Sequence, residues 1–389
     1  MQVVVVSNLY PNSQEPTRGI YTQQLVSELK EQVDVRVIAP LPWRPKFIRS
    51  LTNKVGKEVL VPEHEVINGV DVWHPRYFVM PKTARFTYGA SFYLGIYNRL
   101  KKLHEEKPID VINVHWAYPD GVGVVYAAKK LGVPVVVHCL GCDINEFAKY
   151  PWRREQIAWA LQNATMNIYV SQGLADEARA LGVKHNRNHV VLNGVDQNKF
   201  KAGDKAAVRE QLGLPQDKKI VLYAGNFNVE KGLIYLVEAW SQVAEAHSDA
   251  VLAVIGSGPE EELVKAKIEE LGLGESIKLM GRQPHDQVPL FLQAADILAL
   301  PSLREGCPNI VLEALSSGAA VIGSKVGAVP ELVDETRGIL VQPRDSQALG
   351  EALVEGLGKD WNDSPWPWMS WHDNALKVME VYREAVRLA

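Results

Sequence analysis

Residues 301–318, PSLREGCPNIVLEALSSG, place two carboxylates on either side of a helix start. Pro308 suits the first turn of that helix and Gly318 its C-terminal exit. Glu305 then belongs to the loop before the helix, and Glu313 to the helix itself. Ile310, Val311, Leu312, Ala314 and Leu315 surround Glu313 in sequence. A carboxylate in such a run costs free energy unless it meets hydroxyls, amides or a cation. The helix start offers free N–H groups at Asn309, Ile310 and Val311, aimed where a phosphate can sit. Acid, phosphate cradle and acid suit a ligand with hydroxyls at both ends and phosphate between. A capped surface helix with one solvated Glu is the plainer account of the same residues.

Other residues able to do chemistry are sparse. His115 ends the apolar run Val111–Val114, where a strand would deliver it to a sheet edge. His138, Cys139 and Cys142 lie close enough to suggest a metal site or a Cys-x-x-Cys redox pair. Cys307 is the only other cysteine, so a strand-to-helix loop of small residues explains them more simply. Gly256-x-Gly258 hints at a dinucleotide loop but lacks the full spacing, and a tight strand-to-helix turn accounts for it.

The elements that must position these groups alternate. Short apolar runs recur at Val3–Val6, Val33–Ala39, Val111–Val114, Val133–Val137, Met166–Val170 and Val190–Leu192. Helical periodicity fills the intervals, as in Tyr21–Lys30 and Gly121–Leu131. A second series begins at Lys219 with KKIVLYAG and continues through AVLAVIG, SIKLMG, DILALP, AAVIG and GILV. Lys231–Glu245 and Glu260–Leu271 are helical stretches between them. Continuous apolar runs separated by helices predict buried parallel strands, so each half reads as a doubly wound, Rossmann-like α/β domain. The charged stretch from Phe200 to Lys218, with Gly213 and Pro215, is the expected boundary, giving domains 1–200 and 201–370. The segment 358–373, with four Trp and two Pro, cannot be one regular element, and its Trp cluster at 361–371 is expected to pack between the domains rather than stack on carbohydrate. A final amphipathic helix over Asn374–Leu388 follows; we expect residues 371–389 to return to the first domain.

Composition narrows the function. A formal charge of −4 excludes general nucleic-acid binding, and 47% hydrophobic residues exclude disorder. No run is apolar enough to span a membrane. MQVVVVSNLYP has no basic leader and reads as a first strand, and three cysteines suit a reducing cytoplasm. Residues 41–104 depart from this mild acidity, with eleven Lys or Arg against four acids. Tyr77, Phe78, Phe86, Tyr88, Phe92, Tyr93 and Tyr97 are interleaved with the charges. That surface suits an anionic partner or a membrane interface, while a core-packed helix with solvated cations fits equally.

Glu305 and Glu313 within EGCPNIVLEALSSG resemble the signature of the retaining glycosyltransferases of family four. Other segments follow in that family's order. MQVVVVSNLYPN with Arg18–Gly19–Ile20 resembles its N-terminal strand and glycine loop. INVHWAYPDG (112–121) resembles its acceptor-side histidine segment, VLNGVD (191–196) its inter-domain turn, and YAGNFNVEKG (223–232) its phosphate loop. VGAVPELV (326–333) and GILVQP (338–343) resemble its late segments. NGVDVWHPRYF (68–78) is similar to members that build bacterial surface polysaccharides.

The resemblance implies a GT-B fold, two Rossmann-like domains facing a central cleft. It implies transfer of a hexose-type sugar from a UDP- or GDP-sugar to a glycan or lipid-linked acceptor, with no cofactor and no metal required. Glu305 would contact the donor sugar's hydroxyls and Glu313 the ribose. Backbone amides near Gly306, Cys307, Asn309, Ile310 and Val311, with that of Gly19, would bind the diphosphate. Lys231 would neutralise the leaving group, and Gly281 and Arg282 would approach the base. His115 would sit near the anomeric carbon and acceptor, with Asp143 on the acceptor side. The implied setting is the cytoplasm, at the inner face of the plasma membrane, with peripheral contact through 41–104.

The sequence also departs from the pattern. Asn226 stands where the phosphate loop usually has Arg, leaving Lys231 to act alone or with Arg18 or Arg304. In PVVVHCLGCD (134–143), Leu140 replaces a basic residue and Cys142 replaces Ser. His138 falls too early to take the basic position. A sugar-nucleotide 2-epimerase on the same scaffold and a non-catalytic sugar-nucleotide-binding subunit are the rival readings.

Overall fold

The structure is a computed structural model, and it describes residues 1–44, 60–80, 85–361 and 369–389. The chain divides into two compact units, one of Met1–Asn193 with Trp371–Ala389 and one of Gly194–Ser370.

The first unit carries β1 (Gln2–Val6), β2 (Asp34–Ile38), β3 (Leu41–Trp43), β4 (His64–Ile67), β5 (Val70–Trp73), β6 (Arg76–Phe78), β7 (Val111–His115), β8 (Val135–Cys139), β9 (Met166–Tyr169) and β10 (Asn188–Val190). Eight of them form one sheet in the order β10-β9-β8-β7-β1-β2-β5-β4, and β3 pairs with β6 separately. Every pairing is parallel except β4 with β5. All five residues of β1 are buried, as a central strand covered on both faces requires. Its neighbours β2 and β7 are reached in opposite directions along the sheet, so the carboxyl ends of β1 and β7 flank a switch point.

The second unit carries β11 (Lys219–Ala224), β12 (Ala250–Ile255), β13 (Ile277–Leu279), β14 (Ile297–Leu300), β15 (Ala320–Ser324) and β16 (Gly338–Val341). They form one parallel sheet in the order β13-β12-β11-β14-β15-β16. Here the switch point lies between β11 and β14. Each unit is thus a doubly wound α/β layer built on the apolar runs of the sequence.

The second unit begins at Gly194, slightly before the expected boundary at residue 201. Val195 explains the difference: it bridges to Ser370, and its N–H donates to the Met369 carbonyl at 3.0 Å. The helix Trp371–Leu388 belongs to the first unit. Its Val378, Met379, Val381, Tyr382 and Ala385 are buried in one core with Val3, Val5, Leu25, Val26 and Leu29. Asn374 Nδ2 donates to the Leu192 carbonyl at 2.7 Å, fixing where the helix lands. Of the Trp-rich segment, Trp361 packs into the second unit's core and Trp371 into the first's, stacked on Tyr21. Residues 362–368 of that segment lie outside the described residues.

Apolar runs do not mark β3 to β6. These strands are three or four residues long, and β4 alternates exposed and half-buried positions. In the basic segment 41–104, the helix Tyr88–Glu106 buries Phe92, Ile96, Leu100 and Leu103. Arg99 pairs with Glu63 at 2.6 Å, Lys101 with Glu105 and Lys102 with Glu106. Trp43, Phe78, Met80, Phe86 and Leu94 are exposed. Lys46, Arg49, Lys54, Lys57 and Lys82 of this segment lie outside the described residues.

Candidate functional site

In the second unit the chemistry gathers at the carboxyl ends of β11 and β14. After β11 the chain makes a short 3-10 turn, Val229–Lys231, capped by Asn228, whose Oδ1 accepts the Lys231 N–H at 3.1 Å. Gly232 follows at φ 64° against the Pro301 carbonyl, a contact that a Cβ would turn into a collision. Across the switch point the Leu303 N–H donates to the Glu230 carbonyl at 2.7 Å. These two links set the loop after β11 against the loop after β14. Lys231 Nζ consequently lies 2.7 Å from Glu305 Oε1, which also accepts from Ser302 Oγ at 2.6 Å. The Glu305 side chain is 8% exposed and that of Lys231 34%. A nearly buried carboxylate thus faces a half-buried cation, which screens its charge.

The late segment VGAVPELV supports this loop from behind. Gly327, at φ 54°, packs on the carbonyls of Glu305 and Gly306, and the Ala328 N–H donates to the Gly306 carbonyl at 2.8 Å. Pro308 caps the helix Asn309–Ser316, and Glu313 is buried within it, 5% exposed. Gly318 leaves that helix at φ 84°. One expectation needs correcting: the Val311 N–H donates to the Pro308 carbonyl at 3.0 Å, so it is not free for a ligand. The tight first turn consumes it. Cys307 is buried beside them.

Asn226 is exposed, and its carbonyl accepts from the Tyr223 hydroxyl at 3.0 Å. Gly256 and Gly258 pack on the backbone of Gly225 and Phe227 with no room for a Cβ. The Phe227 N–H donates to the Ser257 carbonyl at 3.0 Å. The two glycines therefore let the phosphate loop pass closely, which accounts for them without a dinucleotide. Gly281 turns at φ 67°, its carbonyl accepts from the Gly256 N–H at 2.9 Å, and Arg282 after it is exposed.

The first unit gathers polar side chains at the carboxyl ends of β1, β7 and β8. His115 and His138 stand opposite each other in register, with ring centroids 4.7 Å apart, and both are buried. Asn113 Nδ2 donates to the Val136 carbonyl, so its Oδ1 faces His115 Nε2 at 2.9 Å as acceptor. That contact places the His115 proton on Nε2, and Nδ1 faces Thr22 Oγ1 at 3.4 Å. Both His115 nitrogens are therefore engaged within the unit. Neither nitrogen of His138 has a hydrogen-bond partner among the described residues. Burial lowers His115 well below the usual histidine range, with the neighbouring His138 adding to it, and lowers His138 to about 4.

Asp143 is wholly occupied by backbone. It accepts from the N–H groups of Ala117 at 2.9 Å, Gly141 at 2.8 Å and Leu140 at 3.1 Å. These contacts tie the loop after β8 to the loop after β7 and need neither the Leu140 nor the Cys142 side chain. Asp120 likewise accepts from the Asn8 N–H at 2.6 Å and from Asn8 Nδ2 at 2.9 Å. Burial raises both carboxyls. Gly19 sits at φ 62° with its Cα against the Leu9 carbonyl. Cys139 is buried, with its thiol pushed well up, and Cys142 is exposed, so the pair does not form a reactive dithiol. His115 is read from its place at a strand end, and Asp143 and Gly19 only from the family resemblance; neither route marks Asn8, Thr22 or Asp120 as a site residue. Asn113 was legible as the residue two before His115 on one strand face.

Two family models tile this chain. Glycosyltransferase Family 4 matches residues 19–199, and Glycosyl transferases group 1 matches residues 204–360. The chain belongs to the GT-B glycosyltransferases of the family-four type. This glycosyltransferase is 29% identical over 361 residues to TuaC of Bacillus subtilis, named as a teichuronic acid biosynthesis glycosyltransferase. The match covers 91% of this chain and 88% of TuaC. It is 31% identical over 298 residues to a D-inositol 3-phosphate glycosyltransferase of Segniliparus rotundus, covering 70% of this chain and 64% of that one. Among solved structures, sucrose-phosphate synthase from Thermosynechococcus elongatus aligns over 100% of both chains, with a TM-score of 0.76 and 20% identity. Anabaena HepE in complex with UDP aligns over 100% of this chain and 97% of that one, with a TM-score of 0.69 and 20% identity. These structural likenesses carry the fold.

Proposed function

We propose that this glycosyltransferase moves a hexose-type sugar from a UDP- or GDP-sugar to a glycan or lipid-linked acceptor in surface-polysaccharide synthesis, with retention at the anomeric carbon. The observation that carries this reading is the Lys231–Glu305 pair at the switch point of the second unit, bounded by the helix that holds Glu313. Lys231 supplies the charge that a departing diphosphate needs, and Glu305 presents a carboxylate to sugar hydroxyls. Departing phosphate oxygen takes the acceptor proton, so no protein nucleophile is required, and Lys231 with helix N–H groups serves in place of a metal. The names of TuaC and the UDP complex of HepE support the acceptor class and the donor base.

The test is a panel of UDP- and GDP-sugars with oligosaccharide and lipid-linked acceptors, read by NMR of the product's anomeric configuration with and without EDTA. Retained configuration, insensitive to EDTA, is expected. Epimerised sugar nucleotide without acceptor would establish the isomerase instead, and donor binding without turnover the non-catalytic subunit. We further propose peripheral contact with an anionic membrane through 41–104, where exposed Trp43, Phe78, Phe86 and Leu94 accompany the cations. Sedimentation with anionic liposomes at low salt, lost at high salt, is expected; absence of sedimentation at low salt refutes the contact.

A further inference from the structure

The segments that leave β7 and β8 meet around one guanidinium. Arg153 stands in the first turn of the helix Pro151–Asn163, and its N–H donates to the Tyr150 carbonyl at 2.9 Å. The residue is 6% exposed. Its guanidinium carbon lies 4.5 Å from the ring centre of Tyr150, 5.3 Å from that of Phe147 and 5.7 Å from that of Tyr118. The Tyr118 hydroxyl donates to the Arg85 carbonyl and is within reach of the guanidinium. Among the described residues Arg153 forms no ion pair, and its buried Nε has no hydrogen-bond partner. Arginine does not shed its charge, so deprotonation cannot relieve the cost of burying it. Ring faces offset part of that cost, but they supply no oxygens to a fork shaped for two parallel hydrogen bonds. Trp116, just after β7, repeats the pattern. Its indole Nε1 is buried without a partner among the described residues, and its ring lies 5.6 Å from that of Phe147. Two buried donors on either side of Phe147 thus lack acceptors, where native structures leave few such groups.

We propose that Arg153 is the centre of a subsite for an acidic sugar of the acceptor, one that carries a carboxylate or a phosphate. The proposal deepens the reading of a glycan acceptor and rests on it. The cluster stands at the carboxyl ends of β7 and β8, the end of an open α/β sheet where ligands bind. The anion pairs with the guanidinium, and a hydroxyl of the same sugar can accept from Trp116 Nε1. Tyr150, 48% exposed, offers the sugar a ring face beside the charge. A neutral sugar leaves the guanidinium without a counter-charge. All of these residues belong to the first unit.

The experiment titrates the full chain by calorimetry with three oligosaccharides. One ends in a hexuronic acid, one is the same compound with that carboxyl reduced to the alcohol, and one ends in a hexose phosphate. Wild type should bind at least one acidic form about tenfold more tightly than the reduced form, the scale of one charge-assisted hydrogen bond. Which acidic form does so identifies the anion. Arg153→Met keeps an apolar stem among the rings; it should erase the preference and leave affinity for the reduced form, UDP and GDP unchanged. Arg153→Lys keeps the charge without the fork and should lower the preference about threefold or more. A merely structural arginine would weaken all three sugars together or none, and either result overturns the proposal. A wild type that does not prefer an acidic form overturns it too. If Arg153→Met fails to fold, Arg153→Lys decides. If the preference and its loss both hold but no nucleotide sugar is turned over, only the transferase reading fails. If transfer proceeds and no preference for acid is found, only this subsite fails.

Discussion

Replacing His138 by Phe should make the first unit less sensitive to acid without weakening it at neutral pH. Both nitrogens of His138 are buried and have no partner among the described residues, so a phenyl ring of similar size forfeits no hydrogen bond seen there. The folded histidine titrates at about 4, against an ordinary value of 6.5. A base whose folded pKa is lowered binds fewer protons folded than unfolded, so its penalty is absent above 6.5 and grows as pH falls toward 4. At about pH 5 the linkage relation gives a loss of about 2 kcal/mol from this residue alone, approaching about 3 kcal/mol below pH 4. His115 adds to the loss in the same direction. Asp120 and Asp143 oppose it, because a raised carboxyl pKa favours the folded state on acidification. Those opposing contributions cancel in the difference between wild type and variant, which makes the comparison the quantity to measure. Urea unfolding at about pH 7.5 and about pH 5 should show His138→Phe losing about 2 kcal/mol less than wild type over that interval. Equal losses would show that His138 is solvated or charged in the folded protein, and the buried, neutral pair would be wrong.

Three further outcomes follow from the second unit. Lys231→Ala should remove about 2–4 kcal/mol of transition-state stabilisation, read as a fall in kcat, the scale of one lost oxyanion donor; near-normal kcat would place the leaving-group charge elsewhere. Glu305→Ala should lower turnover more than nucleotide binding, whereas Glu313→Ala should weaken both, and equal nucleotide affinity in wild type and Glu313→Ala removes the ribose role. Gly232→Ala should cost about 1–3 kcal/mol, since it forces a Cβ at positive φ onto the Pro301 carbonyl; an unchanged unfolding midpoint would refute that contact.

Two neighbouring strands of the second unit were the most legible because they are long, apolar and covered on both faces. β11 and β12 are six residues each, and their apolar runs locate them within a residue. Pro308 and Gly318 fix the helix carrying Glu313 by local backbone chemistry, which a sequence displays directly. The Lys231–Glu305 contact was not legible, since 74 residues separate the partners and only the sheet order brings their loops together. The same holds for Asp120 and Asn8, 112 residues apart. His138 lies outside the motif's basic position, yet strand register alone sets it against His115.

The chain enters the second unit at Gly194 and returns to the first at Trp371, so the first unit is discontinuous in sequence. During synthesis its sheet is made long before the helix that covers it. Val3, Val5, Leu25, Val26 and Leu29 share a core with Val378, Met379, Val381 and Tyr382, and that core stays open until the whole second unit has been translated. A nascent chain therefore carries this apolar face unsealed until Trp371–Leu388 has been made. A chain ending before Trp371, even one with a complete second unit, leaves that face uncovered. An isolated first unit would have to be built by joining the helix Trp371–Leu388 directly after Asn193, which the Asn374 contact with the Leu192 carbonyl shows to be a short span.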